Sequence, residues 1–492
     1  MHQISLDALR PFAHFPILPV WRKTRAEKTP VEAFRKFKLI SRQCFILESL
    51  EDKERWGRWT FLGFEPKLEI SAADGKLSVK NGATLEAPAA ESAAYIERLL
   101  AEYRSPRPAE LAPGAEMPPF SGGLVGYFSF DFVKYREKRL QTAPAASEQG
   151  ALFKDFDLML FDKLIVWDNL KNETYFFVNV KTGALEEAYH RAITELDRLQ
   201  RILRDGADAR MPPLRIKSPF RELCGRERYR EMVIRAKKHI VEGDIFQVVL
   251  SNQLEAEVEG SIFGAYLVLR RANPSPYMFY FASDDIEISG ASPETLVKLT
   301  KDPPRVWTFP LAGTRRRGKT PEEDAALEKE LLADPKELAE HNMLVDLGRN
   351  DLGRICEFGT VKVEKYLSVE RFSHVMHIGS TVSGLPRAGA LEAIAAVLPA
   401  GTLSGAPKIR AIEIINELEA APRGIYGGAI GYLAFSGDMD TCISIRIAYK
   451  KGEKVYVRSG AGIVADSVPE SEYEECRNKM RAVVAALEEA AK

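Results

Sequence analysis

The chain is 492 residues long, room for two or three ordinary domains or one large two-lobed one. It is 45% hydrophobic and 28% charged with a formal net charge of −1, which excludes a broad basic field for nucleic acid. It contains no apolar run of about 18 residues, so no transmembrane helix is expected, and its N-terminal stretch lacks the basic-then-apolar pattern of a signal peptide. Five scattered cysteines without a Cys-x-x-Cys pair (Cys44, Cys224, Cys356, Cys442, Cys476) point to a reduced, cytoplasmic protein with neither disulfides nor a zinc site.

Residues 1 to about 205 read as mixed α and β. Short runs such as Cys44–Glu48 and Leu164–Trp167 have strand character and alternate with the turn signals Asp74-Gly75 and Asn81-Gly82. The Pro- and Ala-rich stretch Pro106–Pro119 reads as a loop, Glu187–Asp205 as a helix, and Gly206–Pro219 as a linker. Beyond it a helix is expected over Glu227–Gly243 and a strand over Ile245–Leu250. Glycines beside β-branched runs follow, for example Gly427-Gly428-Ala429-Ile430, and the chain closes on a long helix, Glu470–Ala491. Patterning alone supports mixed α and β and no finer class.

On a helix through Lys336-Glu337-Leu338-Ala339-Glu340-His341, Glu337 and Glu340 share one face, where two like charges repel. Glu472 and Glu475 repeat that spacing near the C-terminus. Either pair alone fits a solvated helix face. Two such helices could also clamp a hard cation such as Mg²⁺, which takes carboxylate oxygens and keeps positions open for an anionic ligand. The loop Gly401-Thr402-Leu403-Ser404-Gly405, opening the expected helix Ile409–Leu418, and the run Ser459-Gly460-Ala461-Gly462-Ile463 would present backbone N–H groups to an anion. Asp440–Arg446 reads as a strand ending in an Arg, whose guanidinium suits a carboxylate. Together these residues point to an enzyme for a small dianionic substrate with Mg²⁺ as charge bridge.

Six segments in order, Ile288–Glu294, Pro310–Arg315, Lys336–His341, Asp346–Arg354, Gly401–Lys408 and Arg458–Gly462, resemble the signatures of the chorismate-utilising enzymes, and most closely the anthranilate synthase branch. The resemblance runs from about Tyr229 to the end of the chain. It implies an α+β fold, a large two-layered, mainly antiparallel β-sheet sandwich with helices outside. It also implies an N-terminal regulatory region over residues 1–210 and a chorismate-binding catalytic region over 220–492. Family members that use water carry a Lys where this chain has Gln247, and aminodeoxychorismate synthases usually carry a nucleophilic Lys where it has Ala312. Direct attack by ammonia on the ring remains, the lyase reaction that yields anthranilate and pyruvate and opens tryptophan biosynthesis. Two alternatives stay open: an aminodeoxychorismate synthase, and a non-catalytic tryptophan-binding regulator.

Carried over residue by residue, the resemblance makes Glu340 and Glu475 the Mg²⁺ ligands, with Glu337 and Glu472 supporting them and His341 beside them. Gly401, Thr402, Tyr426, Arg446, Gly460, Ala461 and Gly462 would bind chorismate. Glu294, helped by Thr314, would be the general acid and His377 the base, with His374 uninvolved. Glu48, Ser49, Pro274, Ser275, Pro276, Tyr277, Met278 and Cys442 would form a tryptophan feedback site. No Gly-x-Cys-x-Gly elbow surrounds any cysteine, Cys224 coming nearest, so ammonia derived from glutamine would come from a partner amidotransferase subunit.

Overall fold

The structure, a computed structural model, describes residues 2–50, 57–137, 139–140, 153–372, 375–419 and 421–492. Among these residues the backbone forms two sheets, one of 14 strands and one of 12, in which every pairing between named strands is antiparallel. Helices pack on their outer faces, which makes the fold an α+β sandwich as expected. No helix among the described residues is long and apolar enough to cross a membrane.

The two sheets draw on both ends of the chain. In the larger, strand Cys44–Glu48 pairs with Tyr277–Ala282, Met278 lying opposite Glu48. In the smaller, Gly123–Phe128 pairs with Ala429–Ala434. The stretch near residue 210 is thus a break in the sequence pattern that both sheets bridge.

Alternation along the strands explains how one sheet serves two cores. In Phe156–Phe161, Met159 and Phe161 join the core between the sheets, while Phe156, Leu158 and Leu160 join a second core under the outer helices. In Gly123–Phe128, Val125 and Tyr127 face the first and Leu124 and Phe128 the second. Burial on both faces is why these strands read as nearly continuous apolar runs.

Several expected helices appear with small shifts of boundary, Leu185–Asp205, Arg226–Val241, Lys408–Leu418 and Pro469–Ala490, while the strand expected over Ile245–Leu250 starts at Gln247 and runs on to Glu259. Two expectations need correction. The Pro106–Pro119 loop contains a short helix, Pro108–Leu111. The strand expected to end at Arg446 ends at Ile443. Arg446 takes a left-handed conformation (φ 52°) at the step into the next strand, Ile447–Lys451.

That step organises the site. Met439–Ile443 belongs to the smaller sheet and Ile447–Lys451 to the larger, so the chain changes sheets between them. Alongside, the chain crosses the other way between Ile286–Ser292 and Thr295–Lys301. The two crossings are tied by Ile443 N–H donating to the Glu294 carbonyl at 3.0 Å and Ala291 N–H to the Arg446 carbonyl at 3.2 Å. Glu294 and Arg446 therefore meet at the seam of the sandwich.

Candidate active site

Glu294 is buried, and the Thr402 hydroxyl donates to its Oε1 at 3.2 Å. Burial pushes its carboxyl up to about 8, although Thr402 and the Arg446 guanidinium pull the other way. At neutral pH it carries a proton. Arg446 is reached by solvent, yet desolvation lowers its proton affinity, with Glu294 opposing. Among the described residues no carboxylate lies within ion-pair distance of Arg446, so its charge is open to an anionic ligand.

His377 lies on strand Val375–Gly384, opposite Thr314 on Leu311–Arg316. The register slips between Ala312 and Thr314, where Gly313 adopts φ 72°, a value that favours glycine. This bulge aims the Gly313 carbonyl at His377 Nδ1, 3.0 Å away. A carbonyl only accepts, so Nδ1 carries the hydrogen and Nε2 keeps its lone pair. The Thr314 hydroxyl lies 3.0 Å from the same Nδ1. Desolvation brings the imidazole down to about 4, the Gly313 bond resisting and Arg446 adding to the fall. The ring is thus a neutral base. His374 lies outside the described residues.

The four expected metal glutamates sit on helices Pro335–Gly353 and Pro469–Ala490. Burial first, then Glu337 and Glu475, hold the Glu340 carboxyl above its ordinary range, against Lys336 and Lys479. Glu472 is raised by burial and by Glu475. The structure pairs Glu337 with Arg315 at 3.2 Å and Glu475 with Lys479 at 2.7 Å. Among the described residues, the group of three ligand side chains gathered within 4.8 Å is instead His239, Glu242 and Asp244, where Arg410 already holds Asp244 at 2.7 Å. The glutamates are set wider apart. Their donor set still fits a hard divalent cation: all oxygen, from two helices, in a field that resists ionisation of Glu340 and Glu472. His341 turns the other way, its Nε2 2.6 Å from the Ser380 hydroxyl, and joins the Glu340 helix to the His377 strand.

The glycine run lies on strand Lys454–Ile463, with Ala461 opposite Leu250. Its other neighbour, Ile447–Lys451, pairs only as far as Val457, so beyond that point the second edge lies outside the ladder. A Cβ at Gly460 would come within 3.2 Å of the Tyr426 hydroxyl, and one at Gly462 within 2.6 Å of Gln247 Nε2. Small residues thus keep this edge open. Lys479 Nζ donates to the Gly460 carbonyl at 3.2 Å, which ties the glutamate helix to the glycine strand. On the opposite wall, a Cβ at Gly401 would strike Leu347 Cδ2 at 2.3 Å, so glycine lets the Glu340 helix pack against the Thr402 turn.

The expected tryptophan residues also gather, at the junction of Cys44–Glu48 and Tyr277–Ala282. The Glu48 carboxylate is buried, taking a hydrogen bond from Tyr266 and an ion pair from Arg270 at 2.7 Å. Among the described residues the Ser49 hydroxyl is buried without a partner. Leu50 N–H donates to the Ser275 carbonyl at 3.3 Å, closing the turn Pro274-Ser275-Pro276 onto the other wall. The Tyr277 hydroxyl lies 2.8 Å from both Thr295 Oγ1 and Asp440 Oδ1, and Cys442 is buried opposite Thr295.

Two buried ionic features and one exposed ion pair escaped the sequence reading. Lys408 Nζ binds Asp351 at 2.7 Å and the Val397 carbonyl at 2.8 Å. Glu419 binds Arg423 and Arg458. Lys479 sits on Glu475. Lys408, Asp351 and Arg458 lie inside the ordered segments, which was the available signal.

The profile of the family described as chorismate binding enzyme matches residues 42–485. The chain is 42% identical to anthranilate synthase component 1 of Acetivibrio thermocellus, over 99% of this chain and 98% of that one. It is 43% identical to that of Acinetobacter calcoaceticus, over 97% and 96%. Anthranilate synthase component I of Streptococcus pneumoniae TIGR4, a crystal structure, superposes with a TM-score of 0.72 at 36% identity, covering 87% of this chain and 92% of that chain. With its two sheets and a site at their seam, the chain belongs to the chorismate binding enzyme family, and its relatives there are anthranilate synthase component 1 chains.

Proposed function

We propose that this chain is the large subunit of an anthranilate synthase, a lyase converting chorismate and ammonia to anthranilate, pyruvate and water. The observation that carries the reading is a protonated Glu294 and a neutral His377 whose Nε2 has no hydrogen-bond partner among the described residues, two titratable groups whose environments push them apart in opposite directions across one site. Ammonia adds at ring C2 while the C4 hydroxyl departs. Glu294 protonates that hydroxyl, which leaves as water. His377 Nε2 then removes the C2 proton as the bond from C3 to the enolpyruvyl oxygen breaks; the freed enolate takes up a proton at its methylene carbon to become pyruvate, and the ring becomes aromatic. Arg446 and Tyr426 bind the enolpyruvyl carboxylate together with backbone N–H groups of Ala461 and Gly462, and Gly401 and Thr402 line the same pocket.

Glu340 and Glu475, supported by Glu337 and Glu472, would hold Mg²⁺, which when bound supplies positive charge for the ring carboxylate. Ammonia comes from glutamine through a partner amidotransferase subunit. Tryptophan binds between Ser49 with Glu48 and the wall Pro274–Met278 with Cys442 and inhibits the enzyme. The unpartnered Ser49 hydroxyl supports this assignment by offering a hydrogen bond.

Incubation of the chain with chorismate, Mg²⁺ and ammonium at mildly alkaline pH, followed by anthranilate fluorescence, tests the reading. Anthranilate is expected, and a 4-amino product would overturn it. Added tryptophan should suppress the signal. In Ser49→Ala, loss of about 1 kcal/mol of hydrogen bonding should raise the half-inhibiting concentration about five-fold. No response to tryptophan in the parent chain would remove the regulatory assignment and leave the catalytic one.

A further inference from the structure

Beneath the pocket lies a buried ionic cluster that the reaction does not use. The Glu419 side chain is nearly inaccessible, with Arg423 on one side (Nη2–Oε1 2.5 Å, Nε–Oε2 3.0 Å) and Arg458 on the other (Nη2–Oε2 2.6 Å). Burial alone would push the Glu419 carboxyl up; the two guanidiniums outweigh it and hold it below its ordinary value. One carboxylate thus lies between two guanidiniums, and the Asp131 carboxyl faces both of them as well.

The remaining donors of this cluster go to the segments that carry the site. Arg423 Nη1 donates to the Leu403 carbonyl at 2.5 Å and Nη2 to the Val249 carbonyl at 2.6 Å. Its guanidinium lies 4.5 Å over the Phe130 ring. Arg458 donates from Nε to the Ser251 hydroxyl at 2.8 Å and from Nη1 to the Pro422 carbonyl at 2.8 Å. Glu419 Oε1 accepts from Ser251 N–H at 2.8 Å. The turn Gly401–Leu403, strand Gln247–Glu259, the approach to Tyr426 and the glycine strand therefore all meet at one carboxylate. Arg423 is the member that reaches the turn bearing Thr402.

We propose that Arg423 is a positioning residue for the reaction: held by Glu419, its fork fixes the Leu403 carbonyl and thereby aims the Thr402 hydroxyl at Glu294. The inference rests on the reading of Glu294 as general acid. Lysine in its place keeps the charge and loses the fork, since one ammonium lacks the planar geometry that serves Glu419, Leu403 and Val249 together. The groups facing Glu294 are the Arg446 guanidinium and the Thr402 hydroxyl, and loss of aim removes the second.

The test compares kcat against pH for the parent chain, Thr402→Ala, Arg423→Lys and Arg458→Lys, with near-ultraviolet circular dichroism on each. Thr402→Ala removes the hydrogen bond to the ionised form of Glu294, so its alkaline limb should move to higher pH. Arg423→Lys should move the same limb in the same direction by half a pH unit or more, with kcat down about ten-fold. Arg458→Lys loosens Glu419 from the far side and should move it less. An Arg423→Lys enzyme that melts earlier but keeps the parent limb, while Thr402→Ala shifts it, overturns the inference and leaves Glu294 in place. A limb unmoved by Thr402→Ala overturns the Glu294 reading itself. Should Arg423→Lys fail to fold, Arg458→Lys decides: a limb unchanged in that variant counts against the cluster.

Discussion

Thr402 Oγ1 donates to Glu294 Oε1 at 3.2 Å, a contact between residues 108 apart in the chain that joins the anion-binding turn to a sheet crossing. It sets two opposed influences on one proton, burial holding it on and the hydroxyl loosening it. Activity that needs protonated Glu294 should be level below about 8 and fall as pH rises through that value. Stability should follow. The folded group binds its proton more tightly than in the unfolded chain, so its contribution is fullest below the ordinary carboxylate range and is lost as pH climbs towards 8. Glu294→Gln should be inactive, yet gain stability relative to the parent as pH is raised from 5 to 8, as read by denaturant melts across that range.

His377 has its Nδ1 committed to Gly313. His377→Ala should lower kcat by about 10²–10⁴. Chorismate consumption should then outpace pyruvate release, because addition precedes the step that needs the base. Because its proton affinity is depressed to about 4, the parent should keep its base deprotonated down to that pH, and stability should rise from there to about 6.5. Equal loss of both rates in the variant would move His377 out of the second step.

Glu340 carries the repulsion of Glu337 and Glu475 together with its burial. In the absence of divalent cations Glu340→Gln should melt above the parent, by up to about 1 kcal/mol of relieved repulsion. Added Mg²⁺ should stabilise the parent and leave the variant unmoved. A variant that gains as much from Mg²⁺ as the parent would take Glu340 out of the ligand set.

Lys408 and Asp351 are both buried and bound at 2.7 Å, joining the Glu340 helix to the segment that follows the Thr402 turn. Lys408→Met strands a carboxylate in the core and should cost about 3–5 kcal/mol. Adding Asp351→Leu should return most of that loss. Urea melts of the single and double variants check both steps.

Much of the architecture was legible in the chain. The helix Leu185–Asp205 shows in its apolar spacing, and Cys44–Glu48 in a short run of strand character. The glutamate pairs were visible because helical spacing places residues three apart on one face. Arg446 was misplaced because periodicity cannot register a left-handed step at a strand end. The Glu419 cluster was missed because nothing local distinguishes a buried Arg from a solvated one.

The sequence by itself determined which residue types were available: two carboxylate pairs, two glycine-rich segments, a histidine, and a Gln and an Ala where related chemistries use Lys. These are local facts, carried by spacing and composition. Tertiary structure decided that Cys44–Glu48 would pair with Tyr277–Ala282, and that Glu294 and Arg446 would meet at adjacent sheet crossings. It also decided that burial would leave Glu294 protonated and His377 neutral. Proton affinity depends on what surrounds a group in space, and strand pairing on complementary surfaces far apart in the chain. Neither is written in the neighbours along the sequence.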